Sequence, residues 1–111
     1  MTTSPELPAP IDRFIDAVNR HDTAAFLDMF TSEGRVDDWG RVFATRDEIA
    51  TWNDREFIGS DGILTPQSVT VGDDATVTVV GDWRSTHANG LSAFTFEVDG
   101  DQIRSMTIRE G

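Results

Sequence analysis

Cysteine, lysine and tyrosine are all missing from this sequence, and each absence removes some chemistry. Without cysteine there is no disulfide, no thiolate nucleophile and no thiolate metal site. All nine basic residues are arginine, so no lysine amine is available for a Schiff base. Without tyrosine, no phenol can act as an acid or hydrogen-bond donor. Two histidines leave room for a catalytic imidazole but not for a multi-histidine metal centre. Metal-ligand spacings and glycine-rich phosphate loops are also missing, so neither a metal nor a cofactor is expected. No apolar run reaches the roughly 20 residues that cross a bilayer. The opening Met-Thr-Thr-Ser-Pro-Glu has no basic segment followed by an apolar one. These features predict a cytoplasmic protein that does not engage a membrane. Positive charge is scarce as well: twenty acidic side chains against nine basic ones give a net charge of −11. Such a surface repels phosphate backbones, which argues against nucleic-acid binding. The acidic residues are spread along the chain, a pattern that serves solubility.

What is present describes a small folded unit. A chain of 111 residues makes one domain, and 38% hydrophobic with 26% charged residues is a globular balance. Residues 1–9 read as an extended, proline-containing lead-in and residues 10–111 as a single domain. Ile11, Phe14, Ile15 and Val18 recur at the spacing of one helix face. Asn19 to Asp22 break that helix, and Asp22 can cap a second one carrying Phe26, Leu27, Met29 and Phe30 and ending near Gly34. Residues 35–44 look extended, with a bend at Gly40. Thr45 and Glu48 form a capping box for a third helix bearing Ile49, Trp52, Arg55 and Glu56, which stops before Gly59.

The remainder alternates as strands do. Residues 63–71 lead into a turn at Gly72-Asp73-Asp74. Residues 75–87 form a long strand with Val77, Val79, Gly81, Trp83, Ser85 and His87 on one face. Asn89-Gly90 and Asp99-Gly100 are hairpin signals, and Ser92, Phe94, Phe96 and Val98 share a face between them. Ile103, Met106 and Ile108 belong to the last strand. The expected class is α+β: three N-terminal helices packed on a strongly curved, mostly antiparallel sheet. A meander with one apolar face must be covered. Only the helices can do so, and a bent sheet wrapped around them leaves an apolar hollow at its wide end.

The order of elements, the Asn19-Arg20-His21-Asp22 junction, Val36-Asp37-Asp38-Trp39, the capped helix at Thr45 and the closing 94–103 hairpin resemble the nuclear transport factor 2-like superfamily. Within it, the SnoaL-like and ketosteroid-isomerase-like members are most similar. The resemblance implies a cone-shaped pocket and a homodimer, and it leaves the reaction open, because this fold hosts isomerases, cyclases, dehydratases, epoxide hydrolases and binding domains. The general-base carboxylate of the ketosteroid isomerases matches Asp38. Their phenolic oxyanion donor falls at Phe14 and their neutral carboxylic acid at Ser92. The two groups that support an enolate are therefore replaced, and steroid isomerisation is not expected.

Asp38 is the candidate catalytic base, because a carboxylate beside apolar walls can take a proton from carbon or activate water. A one-residue change of register would turn Asp37 inward in its place. His87 is the candidate proton shuttle for Asp38, and His21 reads as a cap or surface group. Phe14, Trp39, Trp52, Trp83, Ser92 and Phe94 are the expected ligand-binding wall for a small, largely apolar molecule. Arg41, Arg55 and Arg84 read as surface ion pairs. The Asp–Arg–Asp cluster of the limonene epoxide hydrolases is not found at matching spacing. An inward Asp38 close to His87 argues for acid–base chemistry of the isomerase, cyclase or hydrolase type. An outward or salt-bridged Asp38 rules against that chemistry and leaves a non-catalytic ligand- or partner-binding dimeric domain.

Overall fold

The computed structural model describes residues 6–72 and 74–111. Helices α1 (Ile11–Asn19), α2 (Thr23–Asp28) and α3 (Arg46–Glu56) pack on one six-stranded sheet. Its strands are β1 (Phe30–Asp38), β2 (Arg41–Phe43), β3 (Ile63–Val71), β4 (Thr76–Arg84), β5 (Gly90–Asp99) and β6 (Gln102–Glu110), with a 3-10 turn at Ile58–Ser60. The strand order is β2-β1-β6-β5-β4-β3. Every neighbouring pair is antiparallel except β1 and β6, which run parallel. This is the curled α+β cone expected from the residue pattern. The lead-in is described only from Glu6; residues 1–5 and Asp73 of the expected Gly72-Asp73-Asp74 turn lie outside the described residues.

Each helix is held by features visible in its own residues. Ile11, Phe14, Ile15 and Val18 are buried together on α1. At its end the Asn19 side chain makes two hydrogen bonds with the Leu64 backbone, donating to its carbonyl and accepting from its N–H, both at 2.8 Å. Asp22 caps α2 by accepting from the Ala25 N–H. Thr45 Oγ1 accepts from the Glu48 N–H at 3.1 Å, and Glu48 reaches back to the Ala44 N–H, one residue before the box partner expected. On α3, the buried Asn53 accepts from the Ile58 N–H and fixes the 3-10 turn that follows.

Four boundaries differ from the sequence expectation. Helix α2 ends at Asp28, well before Gly34, and Phe30 opens β1 rather than closing a helix. Pairing decides this: Ile103 N–H donates to Met29 O, and Phe30 stands beside Ile103 of β6. Gly34 falls in the register shift between Phe30 and Arg35, where a Cβ would crowd Phe30 at 3.0 Å. The segment 35–44 is two strands joined at Trp39-Gly40, not one bent strand. Strand β4 stops at Arg84, so Ser85 and His87 leave the Trp83 face. Asn89-Gly90 does not form a two-residue turn; residues 85–89 make a longer loop. Asn89 Oδ1 accepts from the Ser85 N–H, and Ser85 Oγ accepts from the N–H groups of His87 and Ala88.

The core is aromatic at two centres. Phe14, Phe26, Phe30 and Phe96 meet edge-on or tilted, with centroids 5.2–5.7 Å apart. Farther toward the wide end, Phe43, Trp52, Phe57 and Trp83 stack as one column. Its tightest step is Phe57 on Trp83, with centroids 4.5 Å apart and ring planes 11° apart.

Candidate functional site

The curled sheet and α3 enclose a hollow of about 640 Å³ at the wide end. Its apolar wall is the inner edge of the ring column (Trp52, Phe57 and Trp83) together with Phe94 and Ile108. Alternation explains why these side chains converge: Val77, Val79 and Trp83 of β4 point inward, as do Phe94 and Phe96 of β5 and Met106 and Ile108 of β6. The same alternation continues one step beyond Ile108 and places Glu110 on the lining.

One side of the hollow is polar. Asp38, at the end of β1, stands opposite Arg41, at the start of β2, across the Trp39-Gly40 turn. Arg41 Nη2 donates to Asp38 Oδ2, and Trp52 Nε1, from α3, donates to the same oxygen at 3.1 Å. Arg41 also grips Glu56 at the end of α3 with both amines, Nη2 to Oε1 at 2.6 Å and Nη1 to Oε2 at 3.0 Å. His87 Nε2 lies 3.1 Å from Glu56 Oε1. The result is a line of polar contacts, Asp38–Arg41–Glu56–His87, along one rim. Both contacts that orient Asp38 fall on Oδ2, and Oδ1 has no hydrogen-bond partner among the described residues. No fully buried side-chain polar atom lacks a partner among those residues, so Oδ1 keeps access to solvent.

Asp37 faces the other way. Arg109 of β6 grips the two Asp37 oxygens at 3.0 and 3.1 Å, and Asp37 Oδ1 also accepts from the Gly40 N–H at 2.8 Å. Of the two adjacent carboxylates, Asp38 is the one that lines the hollow.

The sequence candidates separate into three groups. Asp38, Trp52, Trp83, Phe94 and Ser92 lie on the lining together, with Trp39 at the mouth. His87 also reaches the lining, but from the 85–89 loop, and it pairs with Glu56 rather than Asp38. Phe14 does not reach it: α1 packs deep in the cone, and the Phe14 ring is spent on Phe26, Phe30 and Phe96. Arg41 is not a surface ion pair alone, because it joins two carboxylates at the site. This carboxylate–arginine–carboxylate cluster escaped the spacing argument because Glu56 lies 15 residues beyond Arg41 and meets it only through folding. The Asp38–Arg41 half was readable, since a two-residue turn sets those residues opposite each other. His21, at the helix junction, bonds the Gly62 carbonyl at 2.9 Å and stays outside the hollow.

Two ion pairs make acid stability predictable. The Arg41 hydrogen bonds hold the Glu56 carboxyl below its ordinary range, with Arg41 charge and His87 adding to the effect against a smaller opposing burial. Arg109, then the Gly40 N–H, does the same for Asp37. A carboxyl whose folded value is depressed contributes stability above its unfolded value, about 4.3 for Glu and 3.9 for Asp, and that stability is lost as pH falls through the folded value. Urea unfolding from pH 7 down to pH 3 is expected to show falling stability below about pH 5. Glu56→Gln is expected to flatten that fall, and an unchanged pH profile in the variant would contradict this account.

A cone of three helices on a curled sheet, hollow at its wide end and polar along one rim, defines the nuclear transport factor 2-like class. Within that class the chain belongs to the SnoaL-like domain family, whose model matches residues 11–111. Solved structures agree on the fold. A proposed polyketide cyclase from Sinorhizobium meliloti superposes with a TM-score of 0.80 at 19% identity, covering 93% of this chain and 95% of that one. The epoxide hydrolase/cyclase-like enzyme SalBIII, which acts in pyran ring formation in salinomycin, gives 0.83 at 18% identity, covering 91% and 87%. A Mycobacterium tuberculosis protein in complex with estradiol-17beta-hemisuccinate gives 0.81 at 11% identity, covering 91% and 90%. No curated protein matches the chain in sequence.

Proposed function

We propose that the hollow binds a small, largely apolar molecule whose one polar end meets the Asp38–Arg41–Glu56 rim. The observation that carries this reading is the pairing of a ring-edged wall with the Asp38–Arg41–Glu56 cluster in one space of about 640 Å³. That size and lining suit a ligand of a few fused rings or a folded polyketide. The rim sets the charge the ligand carries. Among the described residues, Asp38, Glu56 and Glu110 line the hollow with Arg41 as its only guanidinium, and Arg41 is already engaged by two of the three. A neutral ligand is therefore preferred over an anion. Estradiol at saturating concentration is expected to raise Tm, since occupancy at 100 times Kd stabilises by about 2.7 kcal/mol. Its hemisuccinate is expected to bind at least tenfold more weakly. A panel of neutral steroids and naphthols giving no rise in Tm would sink the reading.

Whether the site also performs chemistry rests on Asp38. Its ion pair with Arg41 counts against acid–base chemistry and favours binding without catalysis. A second reading is supported by the free Oδ1: Trp52 and Arg41 orient the carboxylate through one oxygen and leave the other to accept a proton from a ligand or water. Under either reading a homodimer is proposed through the outer sheet face. There Thr78, Val80, Ala93, Thr95 and Thr107 form a half-buried, uncharged belt across three paired strands. Sedimentation at the 12.3 kDa monomer mass would overturn that part.

A further inference from the structure

Trp39 occupies a position that suits it poorly. It and Gly40 are the two central residues of the β1–β2 hairpin, with φ of 55° and 94°. Positive φ at both positions is the type I′ turn, which favours Asn, Asp or Gly at the first of them. A bulky side chain there is disfavoured by contact between its Cβ and the backbone. The turn has no easy way to relax. Trp39 N–H donates to Ile108 O at 3.3 Å, and Gly40 N–H donates to Asp37, which Arg109 holds in turn. The indole gains little packing in exchange, because Trp39 is 59% exposed.

The indole's location supplies a reason. Exposed large apolar side chains also occur at Val42, Ile63 and Val71, away from the hollow, but Trp39 and Leu91 (46% exposed) are the two that line it. They flank the mouth from the β1–β2 turn and from the start of β5. An apolar body entering the hollow would remove both from water, a gain realised only in the complex.

We propose that Trp39 is the closing wall of the hollow: a side chain held at the mouth at a cost to its own turn, which packs over the bound molecule and selects for its apolar part. This rests on the reading that the hollow takes a small apolar ligand, and it predicts opposite signs for stability and affinity at one residue. Trp39→Asn is the test, because asparagine suits the turn and cannot close the mouth. In calorimetric unfolding the variant is expected to gain about 4 °C in Tm. In titration with neutral estradiol and 2-naphthol, it is expected to lose at least tenfold in affinity. Trp39→Phe is expected to recover most of that affinity without the gain in Tm. In the wild type, acrylamide quenching should find one accessible tryptophan that the ligand protects, and Trp39→Asn should remove that component. Unchanged affinity with the wild-type protein still binding would overturn the closing role and leave the binding reading in place. A lower Tm for Trp39→Asn would show that the indole supports the turn, and would overturn it too. Failure of both probes to bind the wild type would overturn the binding reading and this inference together.

Discussion

Phe57→Ala is expected to lower the unfolding free energy by about 3–5 kcal/mol, enough to threaten a domain whose total is of order 5–15 kcal/mol. Phe57 is buried in the middle of the ring column, with Trp52 on one face at 4.8 Å and Trp83 on the other at 4.5 Å, and Phe26 and Phe94 beside it. Both tryptophans lose their stacking partner in the variant, and the cavity left behind cannot be refilled from a sheet face already committed to pairing. Urea denaturation followed by near-ultraviolet circular dichroism checks it: the midpoint should fall sharply and the aromatic signal should weaken in the folded state as well. Phe14→Ala, in the deeper ring cluster, is the comparison. It is expected to cost a similar free energy while leaving the Trp52–Phe57–Trp83 signal intact, because Phe14 touches none of those rings.

Asp38→Asn decides between the two functional readings. If Oδ1 acts as a base, turnover of a substrate accepted in the hollow should fall by about 10²–10⁴-fold, the usual contribution of a positioned proton acceptor. If the site only binds, affinity for a neutral ligand should change by less than about threefold. The substitution is suited to the question because asparagine keeps an oxygen for Trp52 Nε1 and Arg41 while losing the charge and the basicity. Mass spectrometry of neutral epoxides for addition of water, and of enolisable ketones in D2O for deuterium uptake at the α-carbon, wild type against variant, provides the measurement. Conversion by wild type alone would assign the chemistry to Asp38. Equal conversion by both would remove Asp38 from it.

How far the residues alone reach can be traced element by element. Ile11, Phe14, Ile15 and Val18 gave a correct helix face because period-3.6 burial is a local property. Val77, Val79 and Trp83 gave a correct strand face for the same reason at period 2. Phe30 opens a strand rather than closing a helix because Ile103, in a strand far along the chain, recruits it, and nothing in Leu27-Asp28-Met29-Phe30 says so. His87 was placed on a strand that Ser85 and Asn89 end through side-chain bonds that look, in the sequence, like an ordinary hairpin signal. The site was half legible for a similar reason. Asp38, Trp52, Trp83 and Phe94 follow from alternation and element order, whereas Glu56 and Glu110 join through contacts that no spacing encodes. Phe14, one of several aromatics expected on the pocket wall, lies in the core because its ring packs on Phe26, Phe30 and Phe96, contacts that its helix spacing alone does not reveal.

The single parallel pair in the sheet has a consequence for how the site comes into being. Asp38 lies beside Ile108 because β1 is joined to β6, the most distant strand in sequence, and Glu110 completes the rim from that same strand. The helices, of 9, 6 and 11 residues, are too short to persist without the sheet they pack on. The hollow is complete only once β6 (Gln102–Glu110) has slotted between β1 and β5. Any ligand is therefore met only by the closed sheet, and loss of β6, which buries Ile103, Met106 and Ile108, would dissolve the site and the packing that holds the helices together.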